Sequence, residues 1–263
     1  MSIIENYIAE KNKKNEKVLS IFLTAGFPDK NKFTGLALKI LNAGADMLEI
    51  GFPFSDPLAD GPTIQYSSKA ALENGINLVK TFEYAQEIRK ETDKPLIMMG
   101  YANPVLSYGI KNFASDAQAS GVNGVIIPDV PIEEYDYFFD GLFGGLDTIL
   151  LITPTTNGER IKAIDEKGKG FIYCVSISGT TGTSYKSTDE TIQFLKSAYS
   201  SVKKNKMLVG FGISNADDAK KFAPYCDGVI VGSAIIKSLR NDTPSFGNTV
   251  ELVRSLKACL IPE

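Results

Sequence analysis

The strongest constraint on the fold of this chain is a regular alternation of short apolar runs with helical patterns, repeated eight times. The apolar runs have the length and composition of buried strands. They cover residues 18–24, 46–51, 95–100, 124–128, 148–153, 170–176, 207–210 and 227–231. No proline- or serine-rich linker separates the units. Alternation of this kind predicts a parallel sheet covered by helices.

Eight such units in a chain of 263 residues favour a closed (β/α)₈ TIM barrel, which at this length is a single domain over residues 1–263. The alternative is an open doubly wound sheet. The first strand is not followed by the GxGxxG turn that would support that alternative. Residues 1–14 form a polar, partly amphipathic pattern and predict an extra N-terminal helix that plugs one end of the barrel.

Composition excludes several classes of function. Hydrophobic residues make up 43% of the chain and charged residues 22%, with a net charge of −3, which gives no basic face for nucleic acid. No apolar run approaches the ~18 residues of a membrane span. Residues 1–17 lack the apolar core of a signal peptide, so we expect a cytoplasmic protein with no membrane association. Cys174, Cys226 and Cys259 are scattered and odd in number, which is neither a disulfide framework nor a metal-binding pattern.

The chain contains no histidine. Triads that use histidine as a base and histidine-ligated zinc are therefore excluded, and acid–base chemistry falls to carboxylates, tyrosine or lysine. The lysines Lys17, Lys94, Lys169 and Lys206 precede predicted strands and belong to the opposite end of a barrel from its active site. Their positions argue against a Schiff-base mechanism.

A carboxylate interrupts the second predicted strand. Alternation along this strand puts Glu49 on the same face as Met47 and Gly51, and burying such a charge is costly unless it is paired, hydrated or used. Asp56 and Asp60 follow in a loop stiffened by three prolines. Two or three carboxylates thus emerge from one strand end, where the active site of a TIM barrel lies. The alternative is a satisfied buried acid followed by an acidic surface turn.

Glycines after the last two strands predict a second feature of the barrel mouth. In residues 210–212 and 231–234 they would let backbone N–H groups approach a ligand, and a short helix beginning at Ser233 would point its positive end at an anion. These two loops are a frequent phosphate site of the fold. Either set of glycines alone would equally well just end a strand.

Two further features of the mouth are open to two interpretations. Tyr173 lies in the sixth strand, either in the site or as a packing residue. The loop over residues 178–184 is small and flexible in composition, and is long enough to be a lid or merely a mobile connection.

With these residues in view, the chain resembles the α subunit family of tryptophan synthase. The segment LEIGFPFSDPLADGPTIQ, residues 48–65, is close to the signature of that family. Supporting motifs follow in the order of the family: TAGFPD from Thr24, MGYANPV from Met99, PDVPIEE from Pro128, GFGIS from Gly210 and VGSAII from Val231. They cover essentially the whole chain.

The resemblance implies cleavage of indole-3-glycerol phosphate to indole and glyceraldehyde 3-phosphate in tryptophan biosynthesis. It implies no metal or organic cofactor, and a β subunit that receives indole in an α2β2 tetramer. By this likeness Glu49 is the main acid–base residue and Asp60 its partner at the indole nitrogen. The substrate-binding residues that it implies are Phe22 and Met99 near the indole, Tyr173, Thr181 in the lid, Phe211, and, for the phosphate, Gly182, Gly212, Gly232 and Ser233. The exposed tip of the loop, Asp56, Pro57 and Leu58, is the expected contact with the partner.

The lid departs from the usual family wording. It keeps Thr181 and Gly182 but lacks the arginine often found just beyond, where Lys186 is the nearest cation.

Desolvation against apolar barrel walls should raise the pKa of Glu49 towards neutrality, whereas Asp60 in a polar loop should stay ionised. Two alternatives remain: a free-standing lyase that needs no β subunit, and a non-catalytic barrel that binds sugar phosphates and regulates a partner. The second alternative has no need of Glu49 and Asp60.

Overall fold

The computed structural model describes residues 1–139, 141–176, 188–242 and 245–262. Eight parallel strands pair in chain order and close on themselves, because the last strand pairs with the first. The strands are β1 (Val18–Thr24), β2 (Met47–Gly51), β3 (Leu96–Met99), β4 (Gly124–Ile126), β5 (Asp147–Ile152), β6 (Ile172–Val175), β7 (Met207–Gly210) and β8 (Gly228–Val231). The predicted TIM barrel is confirmed, with every strand within two residues of its expected bounds.

Helices surround the barrel between the strands. They are α1 (Ile3–Lys13), α2 (Phe33–Asn42), α3 (Pro62–Glu73), α4 (Leu78–Arg89), α5 (Ala102–Tyr108), α6 (Ile110–Ala119), α7 (Tyr135–Phe139), α8 (Gly158–Lys167), α9 (Thr188–Ser201), α10 (Ala216–Phe222), α11 (Ser233–Asn241) and α12 (Gly247–Ala258). Two 3₁₀ turns, Ile132–Glu134 and Ala223–Tyr225, precede α7 and follow α10. No helix in the described ranges is long and apolar enough to cross a membrane.

The predicted N-terminal helix plugs the barrel. Ser2 and Glu5 form a reciprocal capping box that starts α1 and satisfies two of its free N–H groups. Ile4 and Ile8, one helical turn apart, are both fully buried in the cluster that fills the barrel interior. Burying a side chain of this size contributes about 1.5–3 kcal/mol, so these two residues hold the helix across the N-terminal end of the barrel.

Strand alternation separates two cores. Leu19, Ile21 and Leu23 of β1 point outward and join the large cluster beneath the helices. The other face of the strands points into the barrel, where Val18 and Met47 belong to the interior cluster. Apolar side chains from all eight strands fill most of that interior. Its polar positions near the C-terminal ends of the strands define the candidate site.

Two helices, α5 and α10, show no clear helical pattern in the sequence and were not predicted. Pro104 makes the segment after β3 look like a loop, but it occupies the first turn of α5, where proline leaves no intrahelical hydrogen bond unmade. The helix α10 has only seven residues, too few for a clear apolar period. Its start is fixed by Asn215, whose side chain accepts a hydrogen bond from the backbone N–H of Asp218 at 3.0 Å.

Candidate active site at the barrel mouth

Glu49 lies in the middle of β2 and points into the barrel. Its side chain is fully buried. The hydroxyl of Ser20 on β1 donates a hydrogen bond of 2.7 Å to its Oε1 atom, whereas Oε2 has no hydrogen-bond partner among the described residues. Burial raises the pKa of Glu49 to about 7, although the hydrogen bond from Ser20 lowers this pKa by a smaller amount. The side chain can therefore both give and take a proton near neutral pH.

Asp60 is half-buried near the end of the segment that joins β2 to α3, here called loop 2 (residues 52–61). The Tyr101 hydroxyl donates to Asp60 Oδ2 at 2.9 Å and accepts the N–H of Ala59 at 3.1 Å, so it fixes this end of the loop. Burial raises the pKa of Asp60 to about 6, and the hydrogen bond from Tyr101 opposes the rise. The surroundings are thus less polar than expected, but Asp60 is still mostly ionised at neutral pH.

Tyr173 is influenced by the charges of both carboxyl groups. It is buried in the barrel interior, and desolvation, followed by the charges of Glu49 and Asp60, raises its pKa well above the ordinary value. Its ring meets that of Phe211 edge-on at 6.4 Å between centroids. Gly210 gives the hydroxyl its space, because a Cβ there would lie 2.3 Å from the Tyr173 oxygen. Tyr173 is therefore both a packing residue and part of the candidate site.

A narrow cleft of about 20 Å³ lies at the mouth, and Gly51, two residues beyond Glu49 on β2, is in its wall. Its walls include Phe22, Met99 and Asp60, three of the predicted site residues. The ring of Phe22 lies over Gly51, where a Cβ would approach it to 2.5 Å. The cleft is thus mostly aromatic and aliphatic, with a single carboxylate in its wall, which suits a flat apolar ring system carrying one polar group.

The segment after β7, here called loop 7 (residues 211–215), has an unusual backbone. Phe211 and Gly212 adopt consecutive left-handed conformations, with φ of 72° and 74°. Only glycine adopts this conformation without strain, so Phe211 must be held in place. Ser176, at the end of β6, does so: its hydroxyl donates to the Phe211 carbonyl at 2.6 Å, and its N–H donates to the Gly210 carbonyl at 3.1 Å.

The helix α11 begins at Ser233, as predicted, directly after β8. Gly232 precedes it as the N-cap residue and has no side chain to occupy the free N–H groups of the first turn. A Cβ at Gly232 would lie 3.3 Å from that of Phe22, so the bare backbone lies beside the cleft. Loop 7 and the start of α11 together present backbone N–H groups to one side of the mouth.

The tip of loop 2 is only partly exposed. Residues 57–60 form a turn in which the Asp60 N–H donates to the Pro57 carbonyl at 3.0 Å. Leu58 at its corner is 84% exposed and Asp56 is exposed, whereas Pro57 is buried in the wall of the cleft. Of the three residues predicted to meet a partner, two therefore face outward.

Thr181, Gly182 and Lys186 lie outside the described residues, as does the whole predicted lid over residues 178–184. The described part of the chain contains no group of three histidine, cysteine or acidic residues that could hold a metal ion. Of the other predicted substrate-binding residues, three lie in strands and four follow strands. Those in strands are Phe22, Met99 and Tyr173, and those that follow strands are Phe211, Gly212, Gly232 and Ser233, the first residue of α11.

Three hydroxyl groups of the site were absent from the sequence prediction: those of Ser20, Tyr101 and Ser176. Each of these hydroxyl groups donates a hydrogen bond to a predicted residue. Ser20 donates to Glu49, Tyr101 to Asp60, and Ser176 to the Phe211 carbonyl. A signal existed for two of them. Ser20 is a polar residue at an inward position of a strand, and Tyr101 directly follows β3. Ser176 gave none, since its partner is a backbone carbonyl.

Fold and site define a class of protein: a (β/α)₈ barrel with a fully buried carboxyl group below an apolar cleft and uncapped backbone N–H groups at its rim. Residues 8–258 match the family model for the tryptophan synthase alpha chain. The chain is 42% identical over 254 residues to the tryptophan synthase alpha chain of Christiangramia forsetii, which covers 95% of this chain and 99% of that one. The chain belongs to the tryptophan synthase alpha chain family.

Solved structures agree with this assignment. The tryptophan synthase subunit alpha of Legionella pneumophila is 31% identical, with a TM-score of 0.87 over 99% of this chain and 98% of that one. A tryptophan synthase structure from M. tuberculosis is 29% identical, with a TM-score of 0.88 over the full length of both chains.

Proposed function

We propose that this chain is a carbon–carbon lyase that cleaves indole-3-glycerol phosphate to indole and glyceraldehyde 3-phosphate. The observation that carries the proposal is the pair of carboxyl groups in different environments at the mouth of a barrel of this family. Glu49 is buried with a pKa of about 7, and Asp60 has a lower pKa of about 6. At a pH between the two pKa values, Glu49 is mostly protonated and Asp60 is mostly ionised. Glu49 can therefore act as the acid and Asp60 as the counter-ion.

Cleavage begins with a proton. Glu49 gives its proton to carbon 3 of the indole ring, which places the positive charge on the ring nitrogen. Asp60, in the wall of the cleft, is the carboxylate that faces this charge and stabilises it. Because Glu49 is fully buried, the developing charge is stabilised by fixed groups that need no reorganisation.

The carbon–carbon bond then breaks. Glu49, now a carboxylate, takes the proton of the glycerol hydroxyl next to the ring. The oxygen forms the aldehyde carbonyl, and the electrons of the broken bond return to the ring, which restores neutral indole. Glu49 ends protonated, as it began, so no net proton is consumed. We propose that Phe22, Met99 and Tyr173 hold the ring between these groups.

The phosphate group of the substrate belongs, in this proposal, at the backbone of Gly212, Gly232 and Ser233. The positive end of α11 and the turn at Phe211 supply donors there, and the start of the helix has no side-chain cap to displace. Thr181 and Gly182 remain proposed contacts from the lid.

The test is an assay of the purified chain on indole-3-glycerol phosphate, following indole release. We expect Glu49→Gln to lose about 10²–10⁴-fold in kcat while it still binds substrate, and Asp60→Asn to be slow as well. Asp242→Asn, at a buried aspartate that caps the start of the last helix away from the site, is the control for loss of a carboxylate. Turnover near the native rate in Glu49→Gln would rule out this mechanism.

The relatives of this chain are named as the alpha chain of tryptophan synthase, which implies a partner chain. We propose that this chain pairs with a β subunit in an α2β2 tetramer, through the tip of loop 2. Leu58 is an apolar side chain that is 84% exposed, beside the exposed charge of Asp56. The same loop ends at Asp60, so docking at the tip would bias the position of a catalytic carboxylate and pass indole onward without release to solvent.

A purified tryptophan synthase β subunit tests this contact. Asp56→Ala and Leu58→Ser should weaken the activation by that subunit while the slow rate of the isolated chain stays within about twofold, since surface changes of this kind have little effect on stability. Val79→Ser, a change at a half-exposed apolar residue of α4, serves as the control. A parallel loss of intrinsic and stimulated rates would make loop 2 an active-site wall with no role in docking.

A further inference from the structure

The hydrogen bond between Ser20 and Glu49 assigns different tasks to the two oxygens of one carboxyl group. Ser20 lies on β1 at an inward position two residues before Phe22, and it is fully buried. Its hydroxyl donates to Glu49 Oε1 at 2.7 Å. That hydroxyl is the only described hydrogen-bond donor to Glu49, and it has no other described acceptor. Oε2 has no partner in the part of the chain that the structure describes.

We propose that Ser20 is a positioning residue for the lyase reaction, holding Oε1 so that Oε2 alone exchanges the proton with the substrate. This inference rests on the proposed function. An oxygen that accepts a hydrogen bond cannot at the same time present its own proton to that donor. The proton of the neutral carboxyl group therefore resides on Oε2, the oxygen with a free direction. The same contact fixes the rotation of the carboxyl group, so that Oε2 faces the reacting carbon and then the hydroxyl.

The other ionisable groups around Glu49 do not perform this task. Tyr173, on β6, interacts with Glu49 through charge, and neither Tyr173 nor Asp60, in loop 2, forms a described hydrogen bond with Glu49. The side chains of the neighbouring strand β3 that point into the barrel, Ile97 and Met99, are apolar. Removing the Ser20 hydroxyl would leave both oxygens equivalent, each able to carry the proton.

The test compares Ser20→Ala with Ser20→Thr, which keeps the hydroxyl, and with Ser120→Ala, which removes another fully buried hydroxyl far from Glu49. For Ser20→Ala we expect KM within about twofold and a kcat loss of roughly ten- to a hundredfold, the scale of a small misplacement of a catalytic group. The same loss should be found in the limiting, pH-independent kcat that is fitted from the pH profile. Ser20→Thr should recover most of the rate, and Ser120→Ala should change neither constant.

A second readout is the alkaline limb of kcat/KM, which reports the protonation of Glu49 in the free enzyme. Because the hydroxyl stabilises the ionised form, Ser20→Ala should move this limb upward by about one unit. If the alanine variant is too unstable to assay, Ser20→Cys gives the same comparison, since a thiol keeps the volume but donates weakly.

The outcomes separate clearly. If the alkaline limb of Ser20→Ala moves while its limiting kcat stays native, Ser20 only solvates the carboxyl group. The positioning role would then be wrong. An unchanged kcat and an unchanged limb would also overturn it. Failure of the native chain to cleave indole-3-glycerol phosphate would overturn the proposed function instead, a result that is visible before any variant is made.

Discussion

Two hydroxyl groups, one for each carboxyl group, modify the response of the site to pH. Ser20 donates to Glu49 and Tyr101 donates to Asp60, and each donation favours the ionised form of its acceptor. Burial acts in the opposite direction on both carboxyl groups and is the larger influence. The native profile of kcat/KM should be a narrow bell, because activity needs Asp60 ionised, above about 6, and Glu49 protonated, below about 7.

Tyr101→Phe tests the acidic limb of this bell. Loss of the hydroxyl removes a hydrogen bond that lowers the pKa of Asp60, so that pKa should rise above 6 and the acidic limb should move up towards the alkaline one. The pH range of high kcat/KM should become narrower and its maximum smaller, whereas Ser20→Ala should widen that pH range. The phosphate of the substrate also titrates near 6, but it is common to both enzymes, so the difference between their profiles isolates Asp60. An acidic limb at its native position would show that Tyr101 does not tune this carboxylate.

At the scale of elements, the turn after β7 depends on a contact from the neighbouring strand. The hydroxyl of Ser176 holds the carbonyl of Phe211, whose backbone has a φ of 72° that an aromatic residue adopts only at a cost. The same turn carries Gly212, a proposed phosphate contact. Ser176 therefore joins the end of β6 to the phosphate side of the mouth.

Ser176→Ala should loosen this turn and weaken anion binding. We expect KM for indole-3-glycerol phosphate and the inhibition constant of inorganic phosphate to rise together by up to about tenfold, the scale of one hydrogen bond, with kcat changed little. Ser200→Ala, which removes an exposed hydroxyl on α9, is the matched control. Inhibition by phosphate at its native strength in Ser176→Ala would place the anion elsewhere.

The elements also show how far sequence reasoning reaches. The eight strands and the inward direction of Glu49 follow from apolar runs and from alternation, which are local patterns. The helix α5 was missed because Pro104 breaks a helix at most positions but not in the first turn. The contacts of Tyr101 and Ser176 were missed because their partners, Asp60 and the Phe211 carbonyl, are brought to them by pairing between neighbouring strands that are far apart in the sequence. Such contacts have no trace in local composition.

At the scale of the whole molecule, a buried cluster at the N-terminal end of the barrel joins the first and last helices. Asp46, almost fully buried just before β2, accepts hydrogen bonds from the Lys257 ammonium group at 2.6 Å and the Leu19 N–H at 2.9 Å. Lys257 belongs to α12 and also donates to the Lys17 carbonyl at 3.2 Å. Gly44 leaves room for its stem, since a Cβ there would lie 2.9 Å from it.

This cluster and the pairing of β8 with β1 connect the two ends of the chain, and we propose on that ground that residues 1–263 behave as one domain. Lys257→Met should then destabilise the whole molecule. It leaves the buried Asp46 charge without its closest partner, a change that costs about 3 kcal/mol. The unfolding midpoint in urea should fall accordingly, and circular dichroism and tyrosine fluorescence should report one shared transition.

A control variant and kinetic assays of the folded protein separate the loss of stability in Lys257→Met from a loss of activity. Lys80→Met removes an exposed partner of Glu83 on α4 and should cost less than about 1 kcal/mol. Under conditions where the Lys257→Met variant is fully folded, its kcat and KM should stay native, because the cluster and the candidate site lie at opposite ends of the barrel. Two separate transitions in Lys257→Met would contradict the single domain. A lowered kcat in the folded variant would mean that the plugged end of the barrel influences the geometry around Glu49.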